Sequence, residues 1–210
     1  MDETIRYLEA THPNPNPLLL ELEQQARRDG VPLVSRSLGR LLSVLVHSMQ
    51  ANRIVEIGTA YGYATLWMAL ALPPAGKLWT FDPDIERTEV ARAFFERAEL
   101  EGERVEIINQ PASDVIPIFP QRNLDIVFVD ADVASYGTYL ELCLPMLKLS
   151  GLIIFHNVLP QNIQKRALRS KDAASLNEAR HFNDLFLGNT DLDATILPIA
   201  GGTAIGARIR

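Results

Sequence analysis

From residue 53 onward, short apolar runs alternate with amphipathic stretches of helical period, and few folds accommodate that rhythm. Arg53–Gly58, Lys77–Asp82, Arg104–Asn109, Leu124–Asp130 and Gly151–Asn157 read as strands. Tyr63–Ala71, Thr88–Leu100 and Tyr136–Lys148 read as helices between them; the second would bury Val90, Ala91, Phe94, Phe95 and Ala98. Strands joined through helices run parallel with right-handed crossovers, which gives an open α/β sheet of the doubly wound, Rossmann-like kind with helices on both faces. Ala194–Ile199, then Ala200-Gly201-Gly202, then Thr203–Ile209 has the pattern of a hairpin, so an antiparallel strand is expected at the C-terminal end.

Residues 1–50 read as a helical N-terminal segment. Three prolines between Thr11 and Pro17 interrupt it, Leu18–Asp29 forms a helix stopped by Gly30, and Leu38–Gln50 carries Leu38, Leu41, Leu42, Leu45 and Val46 on one face. The expectation is a single domain over residues 1–210, with 51–210 as its cofactor-binding core. A chain of this length can bury a sizeable core, and its one cysteine, Cys143, excludes an internal disulfide and a cysteine-based zinc site. The start, Met1 to Arg6, is acidic and lacks an apolar stretch, and no run approaches a membrane span, so a cytoplasmic protein with no membrane partner is expected. The net charge of −6 argues against broad nucleic-acid binding.

In such sheets, ligands bind outside the carboxyl ends of the strands, where strand order reverses. The first strand runs into Glu56-Ile57-Gly58-Thr59-Ala60-Tyr61-Gly62, so the glycines are spaced G-x-x-x-G. A dinucleotide fingerprint needs a middle glycine to admit a pyrophosphate, and Ala60 stands there. A phosphate-free adenosine ligand such as S-adenosylmethionine tolerates the alanine and places its positive end near Glu56. Asp82, 24 residues beyond Gly58, ends the second strand at about the interval where a carboxylate meets ribose hydroxyls. The plain alternatives are a tight turn without a ligand and a helix N-cap.

With these residues in place, the chain resembles the class I S-adenosylmethionine-dependent O-methyltransferases of the caffeoyl-CoA and catechol type. The resemblance spans roughly residues 30 to 209, and its segments occur in family order. Val31–Ser35 is similar to the segment ahead of the first crossover helix, Val55–Tyr63 to the E-I-G-x-x-x-G-Y motif, and Phe81-Asp82 to the ribose-binding acid. Pro111-Ala112 resembles the adenine-side segment and Val129-Asp130-Ala131-Asp132 the V-D-A-D segment, while Ala179–Asn183 and Leu197–Ile199 resemble the closing elements. The resemblance implies a seven-stranded mixed sheet, methyl transfer to a hydroxyl oxygen, a divalent cation and a homodimer. It assigns donor binding to Ser35, Glu56, Gly58, Gly62, Ala64, Asp82, Ala112 and Asp130.

Two departures bear on chemistry. Family members carry V-D-A-D-K, whose lysine helps deprotonate the acceptor, and this chain has Val133 there. Where the family's next strand ends Asp-Asn and helps hold Mg²⁺ or Ca²⁺, this chain has His156-Asn157, so the implied trio is Asp130, His156 and Asn157. Imidazole for carboxylate removes a charge and an oxygen, which weakens Mg²⁺ and Ca²⁺ and suits Mn²⁺, Fe²⁺ or Zn²⁺ better. Three readings stay open: His156 is a metal ligand, it is a general base without a metal, or it does neither.

The expected activity is methyl transfer from S-adenosylmethionine to the hydroxyl of a small aromatic molecule, with His156 and Asp130 as the catalytic candidates. A tRNA methyltransferase acting on hydroxylated uridines, a non-catalytic donor-binding protein and a nicotinamide-dependent oxidoreductase are the rivals. Lys165, Arg166, Arg169, Lys171 and Arg180 read either as a solvated helix face or as a pocket wall favouring an anionic acceptor. His12, His47 and His181 show no ligand spacing, and Trp67, Trp79 and Cys143 read as packing residues.

Overall fold

The computed structural model describes residues 3, 7, 10–13, 15–100, 102–159 and 170–210. In chain order these carry α1 (Pro17–Asp29), α2 (Arg36–Met49), β1 (Arg53–Ile57), α3 (Tyr63–Ala71), β2 (Lys77–Phe81), α4 (Ile85–Arg97), β3 (Val105–Ile108) and α5 (Ala112–Val115). They continue with β4 (Leu124–Val129), α6 (Tyr136–Cys143), β5 (Leu147–His156), α7 (Ser170–Leu187), β6 (Leu192–Leu197) and β7 (Thr203–Arg208). The sheet order is β3-β2-β1-β4-β5-β7-β6. Strands β1 to β5 pair in parallel, and β7 runs antiparallel to both β5 and β6. This is the expected seven-stranded mixed sheet of Rossmann-like form, with the order reversing between β1 and β4.

The helices begin and end where local chemistry dictates. Asn16 accepts the Leu18 N–H at 2.9 Å, Pro17 opens α1, and Gly30 closes it in the left-handed conformation. Apolar side chains fill both faces of the sheet. Leu22, Leu38, Leu42, Ile54, Leu66 and Phe95 belong to the layer under α1 to α4, while Val55, Phe81, Val127, Tyr136, Phe155 and Phe186 belong to the other. Trp67, Trp79 and Cys143 are buried in these layers, as expected.

Two boundaries correct the sequence reading. The helix expected over Tyr136–Lys148 ends at Cys143, and a 3₁₀ turn over Leu144–Met146 leads into a strand that already begins at Leu147. Pro145 supplies no N–H to continue the helix, and Leu147 pairs with Leu124 before a shift in register. The helix expected from Thr88 starts at Ile85, because Asp84 caps it by accepting the Arg87 N–H at 3.1 Å. Lys165, Arg166 and Arg169 lie outside the described residues, and Arg180 is exposed on α7.

Asp125 ties three strands together at the end of the sheet away from the β1–α3 turn. Its Oδ2 accepts the N–H groups of Asn52 and Arg53, each at 2.8 Å, and its Oδ1 pairs with Lys148. Asp125→Ala leaves two amides at the start of β1 without an acceptor and should lower the urea-unfolding free energy by about 3 kcal/mol. Asp125→Asn, which keeps an acceptor oxygen, should cost less than half as much.

Candidate functional site

Parallel pairing brings the ends of β1, β2 and β4 level, with Ile57 opposite both Phe81 and Val129. The residues that follow these strands surround one crevice of about 240 Å³, lined by Gly58, Asp82, Ala112, Asp130, Ala131 and Tyr139 among others. Four of the sequence-predicted donor residues, Gly58, Asp82, Ala112 and Asp130, therefore meet at one place. Pockets holding a whole drug-sized ligand span ~300–1,000 Å³. This crevice is below that range and of a size for a nucleoside.

That turn is held from two sides. Gly58 donates its N–H to Phe81 O at 2.9 Å, and Asp130 N–H donates to Ile57 O at 2.8 Å. Ala60 sits at a φ of 46°, a conformation that costs an L-residue about 1–2 kcal/mol, and donates its N–H to Asp82 Oδ2 at 2.8 Å. From outside, α1 grips the turn's aromatic residues. Tyr61 Oη donates to Asp29 Oδ2 at 2.9 Å, and Tyr63 Oη donates to Glu23 Oε1 at 2.5 Å. Arg36 clamps the same Glu23 with two bonds, at 2.8 and 2.6 Å, and together these hold the Glu23 carboxyl below its usual pKa range against the opposing effect of burial.

Asp82 brings a fixed carboxylate to the wall of the crevice. Its two oxygens accept the N–H groups of Ala60 and Asp84, at 2.8 and 2.9 Å, which fixes the carboxylate and leaves each oxygen a further lone pair. The Asn109 side chain donates to the Asp82 carbonyl at 3.1 Å and pins the backbone behind it.

The other predicted donor residues are not among those lining this crevice. Gly62, at a φ of 78°, opens α3, and the buried Ala64 follows in its first turn. Ser35 uses its hydroxyl to cap α2, accepting the Leu38 N–H at 3.2 Å. Glu56 alternates with Val55 and Ile57 and so faces the α3 layer, fully buried. Its Oε2 accepts from Thr65, and from Thr80 at 2.7 Å, while its Oε1 has no partner among the described residues. Burial pushes its carboxyl up to about 8, and the Thr65 and Thr80 hydroxyls only partly offset that. Tyr139 was missed in the sequence reading, although it lies one helical turn beyond Tyr136 in α6 and lines the crevice.

Next to the crevice, β4 pairs with β5 so that Val129 lies opposite Phe155 and the following residues, Asp130 and His156, stand side by side. His156 Nδ1 is 2.8 Å from Asp130 Oδ1. Asn157 is exposed at a φ of 58°, with its Oδ1 packed beside Gly201. Among the described residues, no three His, Cys, Asp or Glu side chains gather as a metal site. One carboxylate with an imidazole and an amide supplies less negative charge and fewer oxygens than Mg²⁺ or Ca²⁺ favour, and is chemically closer to a donor set for Mn²⁺, Fe²⁺ or Zn²⁺. Val133, where the resemblance expects a lysine, packs against the apolar layer.

The sequence pattern of the O-methyltransferase family matches residues 11–209. A catechol O-methyltransferase of Niastella koreensis is 34% identical over 188 residues, spanning 87% of this chain and 84% of that protein. An O-methyltransferase of tomaymycin synthesis from Streptomyces achromogenes, solved in complex with SAM, superposes with a TM-score of 0.84 at 26% identity and covers 100% of both chains. An O-methyltransferase from Bacillus cereus, solved with SAH, superposes with a TM-score of 0.85 at 26% identity, covering 97% of this chain and 96% of that one. No helix among the described residues is long and apolar enough to cross a membrane.

Proposed function

Because this chain belongs to the O-methyltransferase family, we propose that it transfers the methyl group of S-adenosylmethionine to a hydroxyl oxygen of a small aromatic acceptor. The observation that carries this reading is the Asp82 carboxylate, fixed by two backbone amides at the wall of a crevice of nucleoside size. Two acceptor oxygens on one rigid carboxylate match two adjacent ribose hydroxyls. Ala112 and Tyr139 offer apolar surface to a base, and the Gly58–Gly62 turn borders the path of the amino-acid tail. Bound there, S-adenosylmethionine supplies an electrophilic methyl carbon on a sulfonium, whose departure leaves a neutral thioether. The protein's task is to hold an acceptor oxygen about 3 Å from that carbon and to dispose of its proton.

On this reading, residues 1–210 act as one domain that works as a cytoplasmic homodimer, and light scattering at twice the chain mass checks the assembly. The acceptor class follows the catechol-type relative. Incubation with S-adenosylmethionine and a panel of catechols should yield a monomethyl ether by mass spectrometry; donor bound without turnover on any hydroxyl would leave only a binding protein. Asp82→Ala should raise the donor KM at least about 100-fold, the equivalent of two lost hydrogen bonds to a charged acceptor at about 1.5–3 kcal/mol each, with little change in kcat.

A further inference from the structure

We propose that Glu23 is a positioning residue for the donor's amino-acid tail. Through Arg36 and Tyr63 it holds the start of α2 and the second half of the Gly58–Gly62 turn at a fixed separation, which lets the protein favour a nucleoside bearing that tail over one without it. The inference rests on the methyl-transfer reading above, in which the turn borders the tail. Its first support is how the turn is divided. The half that begins at Gly58 is tied to strand ends, by the bonds from Gly58 to Phe81 and from Ala60 to Asp82, and Gly58 and Asp82 wall the crevice. The half that ends at Gly62 is tied to α1 instead, by Tyr61 Oη on Asp29 and, one residue further on, Tyr63 Oη on Glu23. Glu23, Arg36, Tyr61 and Tyr63 are not among the residues lining the crevice. Loosening this half therefore leaves the walls around a nucleoside in place and moves only the part beside the tail.

The second support is the choice of a charged group at this place. The Glu23 side chain is 13% exposed, and its carboxylate accepts three bonds: from Arg36 Nε at 2.8 Å, from Arg36 Nη2 at 2.6 Å and from Tyr63 Oη at 2.5 Å. Taking an ion pair out of water costs about as much as the pairing gains, so apolar side chains of the same volume would serve stability equally well. What the pair adds is direction, because a planar guanidinium meets a carboxylate as a fork and admits one alignment. Arg36 opens α2, Tyr63 opens α3 and Glu23 lies midway along α1. One carboxylate therefore sets the relation of three helices at the point where two of them start.

The third support is the second tie. Asp29 lies six positions beyond Glu23 on α1, about 9 Å along the axis. Tyr61 and Tyr63 thus hold the turn to α1 at two separate points, and it cannot pivot about either. The Tyr63 ring is 3% exposed and meets Trp67 edge to face, with centroids 6.3 Å apart, which fixes where its hydroxyl points.

The experiment titrates the full chain calorimetrically with S-adenosylhomocysteine, which carries the tail, and with 5′-methylthioadenosine, which lacks the amino-acid part. Wild type is compared with Glu23→Ala, Glu23→Gln and Tyr63→Phe. Glu23→Ala and Tyr63→Phe should each weaken S-adenosylhomocysteine about 10-fold or more, while methylthioadenosine changes less than about twofold. Glu23→Gln keeps an acceptor oxygen and should recover part of the loss. The double variant of Glu23→Ala with Tyr63→Phe should bind no more weakly than Glu23→Ala, because both substitutions break one contact. Equal weakening of the two ligands, which a role in stability alone predicts, would overturn the proposal. So would an unchanged S-adenosylhomocysteine affinity in Tyr63→Phe, which keeps the packed ring and loses only the hydroxyl. Failure of the wild type to bind either ligand removes the methyl-transfer reading itself, and the role of Glu23 with it.

Discussion

Gly58→Ala should strip the fold of a large part of its stability and abolish donor binding. Gly58 has a φ of 98°, outside the range an L-residue adopts without strain, and a Cβ there would overlap the Asp130 carbonyl. Neither neighbour can give way. The end of β1 is bonded to Phe81 on one side and to Asp130 on the other, so relief would require parting β1 from β4 where the crevice lies. Strain of about 1–3 kcal/mol and an overpacking cost of similar size give an expected destabilisation of about 4 kcal/mol. Gly30 is the control. It too is left-handed, at a φ of 69°, but a Cβ there meets nothing within 4 Å. Gly30→Ala should therefore cost only about 1 kcal/mol. Urea unfolding of the two variants side by side separates backbone strain from the steric clash, and equal losses would refute the tight fit at Gly58.

Glu56 should make the protein lose stability as the solution turns alkaline. Its pKa is near 4.5 in an unfolded chain and about 8 in the folded one. Between those values the unfolded chain has released a proton that the folded chain still binds, so unfolding becomes easier with each step up in pH, by at most about 1.4 kcal/mol per unit. The contribution is complete below about pH 4.5, declines through neutrality and is exhausted above about pH 8. Other groups titrate over the same range, so the informative quantity is the difference between wild type and Glu56→Gln. The amide cannot ionise, and wild type should lose a few kcal/mol relative to it between pH 5 and pH 8, with the difference level beyond that. Parallel stability curves for the two proteins would show that Glu56 is ionised in the folded state after all.

The strands were legible because glycine and aspartate punctuate short apolar runs, and the strand-end residues because topology alone places them. Gly58, Asp82 and Asp130 meet at the crevice for that reason. Glu56 was not legible. In a parallel sheet covered on both faces, the strands read as unbroken apolar runs, so the alternation that would reveal which way a polar side chain points is lost. Glu56 Oε2 accepts from Thr65 and Thr80, while its Oε1 has no partner among the described residues. Ser35 stands in the expected segment, and its hydroxyl oxygen also caps a helix, a role that propensity alone did not single out. The end of α6 was misjudged because Leu147, Lys148 and Leu149 suit a helix as well as a strand, and pairing with β4 decided the matter. The contact between Asp130 and His156 depends on the register of β4 against β5, which no local pattern carries.

The measurement that bears most directly on the account is calorimetric titration of the wild-type protein with S-adenosylhomocysteine and, separately, with NADH. Saturable binding of the thioether at one per chain, greatly weakened in Asp82→Ala, together with no response to NADH, is the predicted result. Binding of NADH in its place, or thioether binding indifferent to Asp82→Ala, would contradict it.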